Sequence, residues 1–327
     1  MAPGSCAPDN PYLQPHEWSM TFSYRHYHSY RDYQGGKKLP DPSPPDFYAS
    51  TRMHGFDLTL TYAFTRRFSL GLEVPLSTAS RETYFEHDFV SLHKMRASGI
   101  GDARVIGNFW LLAPEKNPGQ NISVRFGIKT PTGNHSARDL SFRPEPVSRP
   151  VDPAIQPGDG GVGIIFGFDG FKRLGKRTVA YAQGTYLSNP REMNGTETVF
   201  GDLPGFTLGD IGYTIDSVPD QFFGQIGVSQ TVWAKKGLAV TMGLRTDGVP
   251  PRDLIGGSEG WRLPGYSISV EPGFSITKGK HYFTLTVPIT VKGHGSTNVA
   301  DQRNHSPFAG IVSLADSQLT ISYSRRF

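Results

Sequence analysis

The sequence predicts an all-β protein: a transmembrane, antiparallel up-and-down β-barrel of about twelve strands, with short periplasmic turns and long external loops. Three observations predict it. Apolar residues recur at every second position through most of the chain. The segments between these runs are short and long by turns. The last run ends on an aromatic: Leu319, Ile321, Tyr323 and Phe327 share one parity, interrupted by Arg325, and Thr320, Ser322, Ser324 and Arg326 share the other. Soluble domains rarely keep a terminal strand apolar to its end, because termini fray. A barrel does so because its last strand closes against its first, leaving no backbone edge facing lipid.

Composition agrees, although mean hydropathy is only -0.37 and 37% of the 327 residues are hydrophobic. No stretch approaches the roughly 18 apolar residues of a spanning helix. A barrel needs none, since only alternate residues of a strand face lipid. The 38 glycines and 26 prolines fit many turns, and the 12% aromatic content fits interfacial girdles. No break in composition marks a linker, so residues 17–327 read as one barrel and residues 1–16 as a short N-terminal periplasmic segment. A lone cysteine, Cys6, excludes an intrachain disulfide. The residues before it, Ala2 to Ser5, lack a lipoprotein pattern, and no secretory signal precedes them, so the chain reads as a mature form. The net charge of +4 is modest, and no nucleic-acid signature is present.

Strand one sets Trp18, Met20, Phe22 and Tyr24 against Ser19, Thr21, Ser23 and Arg25. Strand two carries Phe56, Leu58, Leu60, Tyr62 and Phe64 on one face, strand three Phe68, Leu70, Leu72, Val74 and Leu76. Only Thr65-Arg66-Arg67 joins them, which predicts a hairpin. Strand four, around Asp102 to Leu112, alternates poorly. Strand five has Ile122, Val124, Phe126 and Ile128; strand six has Val162, Ile164, Phe166 and Phe168. Strand seven, Thr178 to Leu187, has ambiguous facing. Strand eight runs from about Gln221 to Trp233, and strand nine carries Leu238, Val240, Met242 and Leu244. Strand ten has Tyr266, Ile268, Val270, Phe274 and Ile276. Strand eleven sets Phe283, Leu285, Val287, Ile289 and Val291 against Thr284, Thr286, Thr290 and Lys292, and the C-terminal run is strand twelve. Long connections are expected at 29–54, 78–98, 131–160, 188–217, 248–264 and 293–310.

With the apolar parity facing lipid, the other lines the lumen. It carries Glu73, Asp102, Arg104, Arg125, Lys129, Arg245 and Glu271 as candidate selectivity residues, along with Arg25, Asp57, Asp169, Gln183, Gln225 and Asp247. Such charges must pair or touch water. A rigid, mutually paired plug and a polar conduit both satisfy that demand. The sixteen residues before strand one are too few for a sizeable hatch, so any constriction is expected from a folded-in loop: 39–46, 131–157 or 248–264. Arg31, Lys37, Lys38 and Arg52 either meet lipid-A or sugar phosphates or are simply solvated.

Three constellations bear on chemistry. His294, Ser296 and Asn298 stand two apart, the arrangement of base, nucleophile and orienting amide in outer-membrane phospholipases, but two glycines loosen the backbone and the parity matches Lys292, pointing inward or into a loop. His26 and His28 share a face and read as a metal pair or, more simply, as part of an aromatic belt with Tyr24, Tyr27 and Tyr30. Asp152 and Asp159 lack calcium-loop spacing, and the glycines of 158–163 lack the strand–turn–helix context of a nucleotide site. No cofactor is expected.

Gly99-Ile100-Gly101-Asp102, then Phe109-Trp110-Leu111-Leu112, then Gly127-Ile128-Lys129-Thr130-Pro131-Thr132-Gly133, followed by Gln156-Pro157-Gly158-Asp159-Gly160-Gly161, resembles the conserved core of a family of bacterial outer-membrane proteins loosely labelled as transporters of the meta-pathway of phenol degradation. The resemblance runs from strand two to Phe327. It implies a barrel with Asp102 and Lys129 on the lumen face and passage of small, often aromatic molecules; it supplies no catalytic residues. The expectation is therefore a non-enzymatic outer-membrane channel or passive transporter. Its partners are a small-molecule solute, membrane lipid and lipopolysaccharide, and the barrel-assembly machinery, which would read Phe327 in the last strand. The competing expectations are a closed structural barrel whose loops bind a partner protein or surface polymer, and a lipid hydrolase built on His294 and Ser296.

Overall fold

The computed structural model describes residues 12–45, 48–143, 145–199, 211–304 and 309–327. Cys6, the first eleven residues of the N-terminal segment and Asp46 of the first loop lie outside the described residues.

Twelve antiparallel strands close into a barrel. They are β1 (Trp18–Gln34), β2 (Ala49–Ala63), β3 (Phe68–Thr83), β4 in two pieces (His93–Ile100 and Arg104–Trp110), β5 (Gln120–Lys129) and β6 (Gly163–Arg173). The second half holds β7 (Thr178–Ser188), β8 (Gln221–Trp233), β9 (Leu238–Val249), β10 (Gly265–Lys278), β11 in two pieces (His281–Thr286 and Ile289–Gly295) and β12 (Ile311–Arg326). Each pairs with its neighbours in sequence, and β12 closes on β1 from Ser19↔Arg326 to Gln34↔Ile311. Closure of β12 on β1 leaves no strand edge facing lipid, the condition for sitting in a membrane.

The alternation read from the sequence sorts the side chains. Met20, Phe22, Leu58, Leu60, Leu70, Leu72, Ile122, Phe126, Ile226, Val240 and Met242 lie exposed on the outside, while Ser23, Asp57, Glu73, Lys129, Gln183, Gln225, Glu271 and Ser322 are buried inside. At the short-turn end an aromatic ladder rims the belt. Trp18 packs on Tyr62 at 4.7 Å, Tyr62 on Phe64 at 4.8 Å and Phe64 on Phe68 at 5.6 Å. The turns are tight for local reasons. Thr65 Oγ1 accepts from the N–H groups of Arg67 and Phe68 in the β2–β3 turn. Gly237, at φ 66°, turns β8 into β9 where a side chain would collide with the Thr277 carbonyl.

Five elements differ from the expectation. β4 begins nine residues earlier than Asp102, at His93, so the predicted 78–98 loop shrinks to 84–92. Its poor alternation reflects a break at Gly101-Asp102-Ala103, where the backbone leaves the ladder. β1 runs to Gln34 and β2 starts at Ala49, shortening the first loop as well. β7 was ambiguous because its pattern is inverted. Val179 and Leu187 are buried inside, and the middle of the outward parity holds the small residues Ala180, Ala182 and Gly184, with the Phe168 ring of β6 lying over Gly184. In β11 the register shifts between Ser269↔Thr290 and Ile268↔Lys292. That bulge puts two consecutive residues, Val291 and Lys292, on the exposed side and turns Lys292 and His294 outward rather than into the lumen.

The apolar core is small and sits at one end. Ala79 of β3 and Met95 and Ala97 of β4 face inward and pack against Val151 and Ile155 of the long connection after β5. That loop is folded into the barrel mouth.

Candidate functional site: the lumen and its covers

The inward-facing charges fall into discrete groups around the wall. Arg104 Nη1 donates to Glu73 Oε1 at 2.5 Å, and the Asp57 and Asp102 carboxylates bear on the same guanidinium. Next round the barrel, Arg125 Nε lies 2.9 Å from Asp169 Oδ2, and its Nη2 donates to the Gly184 carbonyl and Thr185 Oγ1 at 3.2 and 2.9 Å. Gln183 donates to Gln225 between β7 and β8. Arg245 Nε donates to Asp247 Oδ1 at 2.7 Å, with the buried Glu271 at 4.0 Å from its Nη1. The structure thus brings Glu73 together with Arg104 and Arg245 with Glu271, and leaves Arg125 in a separate group.

Asp102 and Lys129 form the most connected group, and it ties wall to loop. Lys129 of β5 is almost wholly buried and its Nζ bonds Asp159, with Asp102 Oδ2 at 3.5 Å. Asp102 Oδ1 accepts from Gly133 N at 2.9 Å, and Oδ2 from Asp159 N at 3.1 Å. Thr132 Oγ1 accepts from Ala103 N at 2.8 Å and donates to the Gly101 carbonyl at 3.0 Å. The break in β4 therefore has a use: it turns Asp102 out of the ladder to grip the loop. Gly133 and Gly158 pack so closely there that a Cβ on either would come within 2.7 Å of the other's backbone. The short motifs Gly101-Asp102, Pro131-Thr132-Gly133 and Pro157-Gly158-Asp159 are one clasp.

Above the clasp, the external loops interlock. Arg81, buried on β3, donates to Glu86 Oε1 at 2.6 Å and to Thr51 Oγ1 at 3.0 Å, and stands 3.6 Å from Asp152. Burial pushes the Glu86 carboxyl up, against the pull of Arg81. Asp216, on the short strand Ile215–Ser217, is fully buried, and neither carboxylate oxygen has a hydrogen-bond partner among the described residues. Burial, with the charge of Asp152 second, pushes its carboxyl up to about 9. His87 is held down to about 4, first by burial and then by His93 and Arg143. Arg262 and Asp253 form a buried bidentate pair at 2.6 Å, and Asp220 gathers Tyr186, Asn189 and Leu254 around its carboxylate. The helix Val299–Asn304 joins this layer through Tyr213 Oη, which donates to Asp301 Oδ1 at 3.0 Å.

At the opposite end the N-terminal segment enters the lumen. The expectation that constriction comes from a loop alone is incomplete. Tyr12 is buried against the inward rings of Trp110 at 5.1 Å and Phe171 at 6.0 Å. Its hydroxyl donates to the Asn117 carbonyl at 3.1 Å and accepts from Asn121 Nδ2 at 3.0 Å. Its carbonyl accepts from Arg326 Nη1 of β12 at 3.1 Å. Nothing in the alternation pattern marked Tyr12; its position just before the first strand was the available signal.

The chemical constellations dissolve. Asn298 Oδ1 accepts from Asp301 N and Nδ2 donates to the Arg262 carbonyl, so it caps the helix and does not orient a histidine. His294 faces outward, stacked on Tyr266 at 5.2 Å, and no bond joins it to Ser296 among the described residues. His26 Nδ1 bonds the Met53 carbonyl and His28 Nε2 bonds Ser50. Asp152 belongs to the Arg81 group and Asp159 to the clasp. No group of three or more metal-ligating side chains occurs among the described residues.

The fold and its covered lumen define a transmembrane-type, twelve-stranded β-barrel. An outer membrane channel from Pseudomonas putida F1 shares this fold with a TM-score of 0.61 at 15% identity, over 100% of both chains. The CymD monoaromatic hydrocarbon channel aligns with a TM-score of 0.44 at 9% identity, over 96% of this chain and 89% of that one. A Pseudomonas aeruginosa FadL homologue aligns at 0.40 and 9%, over 95% and 90%. At these identities the likeness to the first is one of fold. No family model and no curated protein matches the sequence.

Proposed function

We propose that this protein is an outer-membrane channel that passes small molecules through a lumen closed at rest by two displaceable covers. The carrying observation is that each end of the lumen holds a connecting segment packed against the inner wall: the Val151–Ile155 stretch at the outer mouth and Tyr12 at the inner one. Such covers can move while the ladder stays intact. Between them the lining is polar, and Arg25 Nε and Arg104 Nε are buried there without a hydrogen-bond partner among the described residues, as expected of groups that water serves. Glu73, Arg104, Arg125, Arg245 and Glu271 would set selectivity, whereas Asp102 and Lys129 would act by holding the outer cover. The aromatic group Tyr12, Trp110 and Phe171 gives the inner exit a surface suited to aromatic solutes, in keeping with the family resemblance. This reading requires no catalysis and no cofactor. Phe327, beside the closing seam with its N–H on the Trp18 carbonyl, would serve the assembly machinery.

A second reading, a permanently closed barrel whose loops bind a protein partner, draws on the Arg81 and Arg262 pairs, which fix the outer layer firmly. Single-channel recording of refolded protein separates the two. The channel reading expects small, rare openings that become larger and longer in Tyr12→Ala. Silence in both proteins, each shown folded by heat-modifiable gel mobility, would leave the closed barrel.

A further inference from the structure

The outer surface carries an ordered stack of side chains where β1 to β4 run side by side. Register places four residues in each row. The lowest row is Tyr24, Phe56, Leu76 and Ile100, the upper edge of the apolar belt. The next is His26, His54, Thr78 and Ser98, and the third is His28, Arg52, Ser80 and Arg96. All belong to the outward parity, on the long-loop side of the barrel.

The third row holds two cations whose guanidinium groups make no ion pair among the described residues. Arg52 and Arg96 are exposed, and neither side chain has an ion pair or hydrogen bond among the described residues. Their neighbours are already engaged. Lys94 pairs with Glu82 one row higher, and the Asp139 carboxylate accepts the backbone N–H groups of Arg96 and Leu140. Arg31, a sequence candidate for phosphate contact, is consumed by Asp41 and Asp316. Arg52 and Arg96 lie two strands apart, about 10 Å at ordinary strand spacing. Beneath them His26 and His54 stack at 4.4 Å. His26 bonds the Met53 carbonyl through Nδ1 and His54 bonds the Tyr24 hydroxyl through Nδ1.

An amphiphile lying here would set its acyl chains on Leu58, Leu60, Leu72, Leu76 and Ile100 and its head group against the cationic row. Guanidinium groups bind phosphate in charge-assisted, often bidentate hydrogen bonds. We propose that Arg52 and Arg96, flanked by His28 and Ser80 above the His26–His54 stack, form a binding site for the phosphates of a phosphorylated glycolipid of the outer leaflet, of the lipid-A kind. The charge complementarity and the apolar belt two rows below argue for a lipid, and the long-loop side argues for the outer leaflet. The site goes beyond the channel reading but rests on the same membrane location.

The test is native mass spectrometry of the detergent-solubilised full chain with diphosphoryl lipid A. The wild type should retain the lipid through detergent activation, and the double variant Arg52→Gln/Arg96→Gln should bind about tenfold or more weakly, the loss expected for charge-assisted bonds. Lys292→Gln, which removes an exposed outward cation on β11, should bind as the wild type does. Equal binding by the double variant would overturn the proposal, as would equal retention of phosphatidylglycerol. Competition by millimolar inorganic phosphate alone would mark an anion site with no lipid preference and would overturn it too. Insertion into phosphatidylcholine vesicles, scored by heat-modifiable mobility, is measured on the same samples. Failure there would remove the membrane location, while insertion without lipid-A binding would remove only this site.

Discussion

Asp102 Oδ1 accepts the Gly133 N–H at 2.9 Å across a break in the barrel wall. One carboxylate thereby joins β4 to the loop that fills the outer mouth, and Lys129 offsets its charge from inside.

Asp102→Ala should loosen that cover while leaving the barrel closed. The change strands two backbone N–H groups and leaves buried Lys129 with Asp159 alone. Breaking a buried charged group of this kind costs on the order of 3 kcal/mol. Limited proteolysis should then cut within 134–157, channel openings should lengthen, and heat-modifiable mobility should persist at room temperature.

Tyr12→Phe isolates the hydroxyl. It keeps the packing on Trp110 and Phe171 but removes two hydrogen bonds, worth about 1 kcal/mol each. Open probability should rise modestly in Tyr12→Phe and strongly in Tyr12→Ala. Identical conductance in all three proteins would show that the inner cover does not limit flux.

Arg125→Ala and Arg104→Ala each remove a lumen cation. The reversal potential in a salt gradient should shift toward cation preference while the barrel stays folded. Unchanged selectivity with a lowered melting temperature would mark these pairs as structural ties.

Asp216 and His87 give the outer layer opposite pH dependences. Asp216 is pushed up to about 9, so the folded layer holds its proton more tightly than the unfolded chain does. Its contribution is full below about pH 4 and declines as pH rises toward 9. His87 is pushed down to about 4, so its contribution is full above about pH 6.5 and declines as pH falls toward 4. Asp216→Asn should abolish the alkaline loss of protease resistance in the loops, and His87→Gln the acidic loss. An unaltered profile in Asp216→Asn would show that another group controls the alkaline limb.

The wall of this protein was legible because its physics is local. A strand with lipid on one side and water or polar groups on the other must alternate, so Phe22, Leu60 and Ile122 announced their facing directly. The period failed where size replaced polarity. Ala180, Ala182 and Gly184 face outward, with the Phe168 ring supplying apolar cover over Gly184, and Val179 and Leu187 turn inward. It failed again at Val291, where one inserted residue reverses the parity of everything that follows in β11. The candidate lumen charges all point inward, but which of them pair is a question of register and loop path. Asp102 and Lys129 stood out as a motif without revealing that they grip a loop, because their partners, Gly133 and Asp159, lie 31 and 30 residues away. Tyr12 and the Arg81 group were silent in sequence for the same reason.

The bond from Arg326 to the Tyr12 carbonyl couples the inner cover to the closing seam. Arg326 takes its position only with β12 paired to β1, so this one bond of Tyr12 depends on the seam. The hydroxyl bonds and ring packing of Tyr12 rest on the β4–β6 wall and do not need the seam. The inner cover is thus held from two sides, and only the Arg326 side reports whether the barrel has closed.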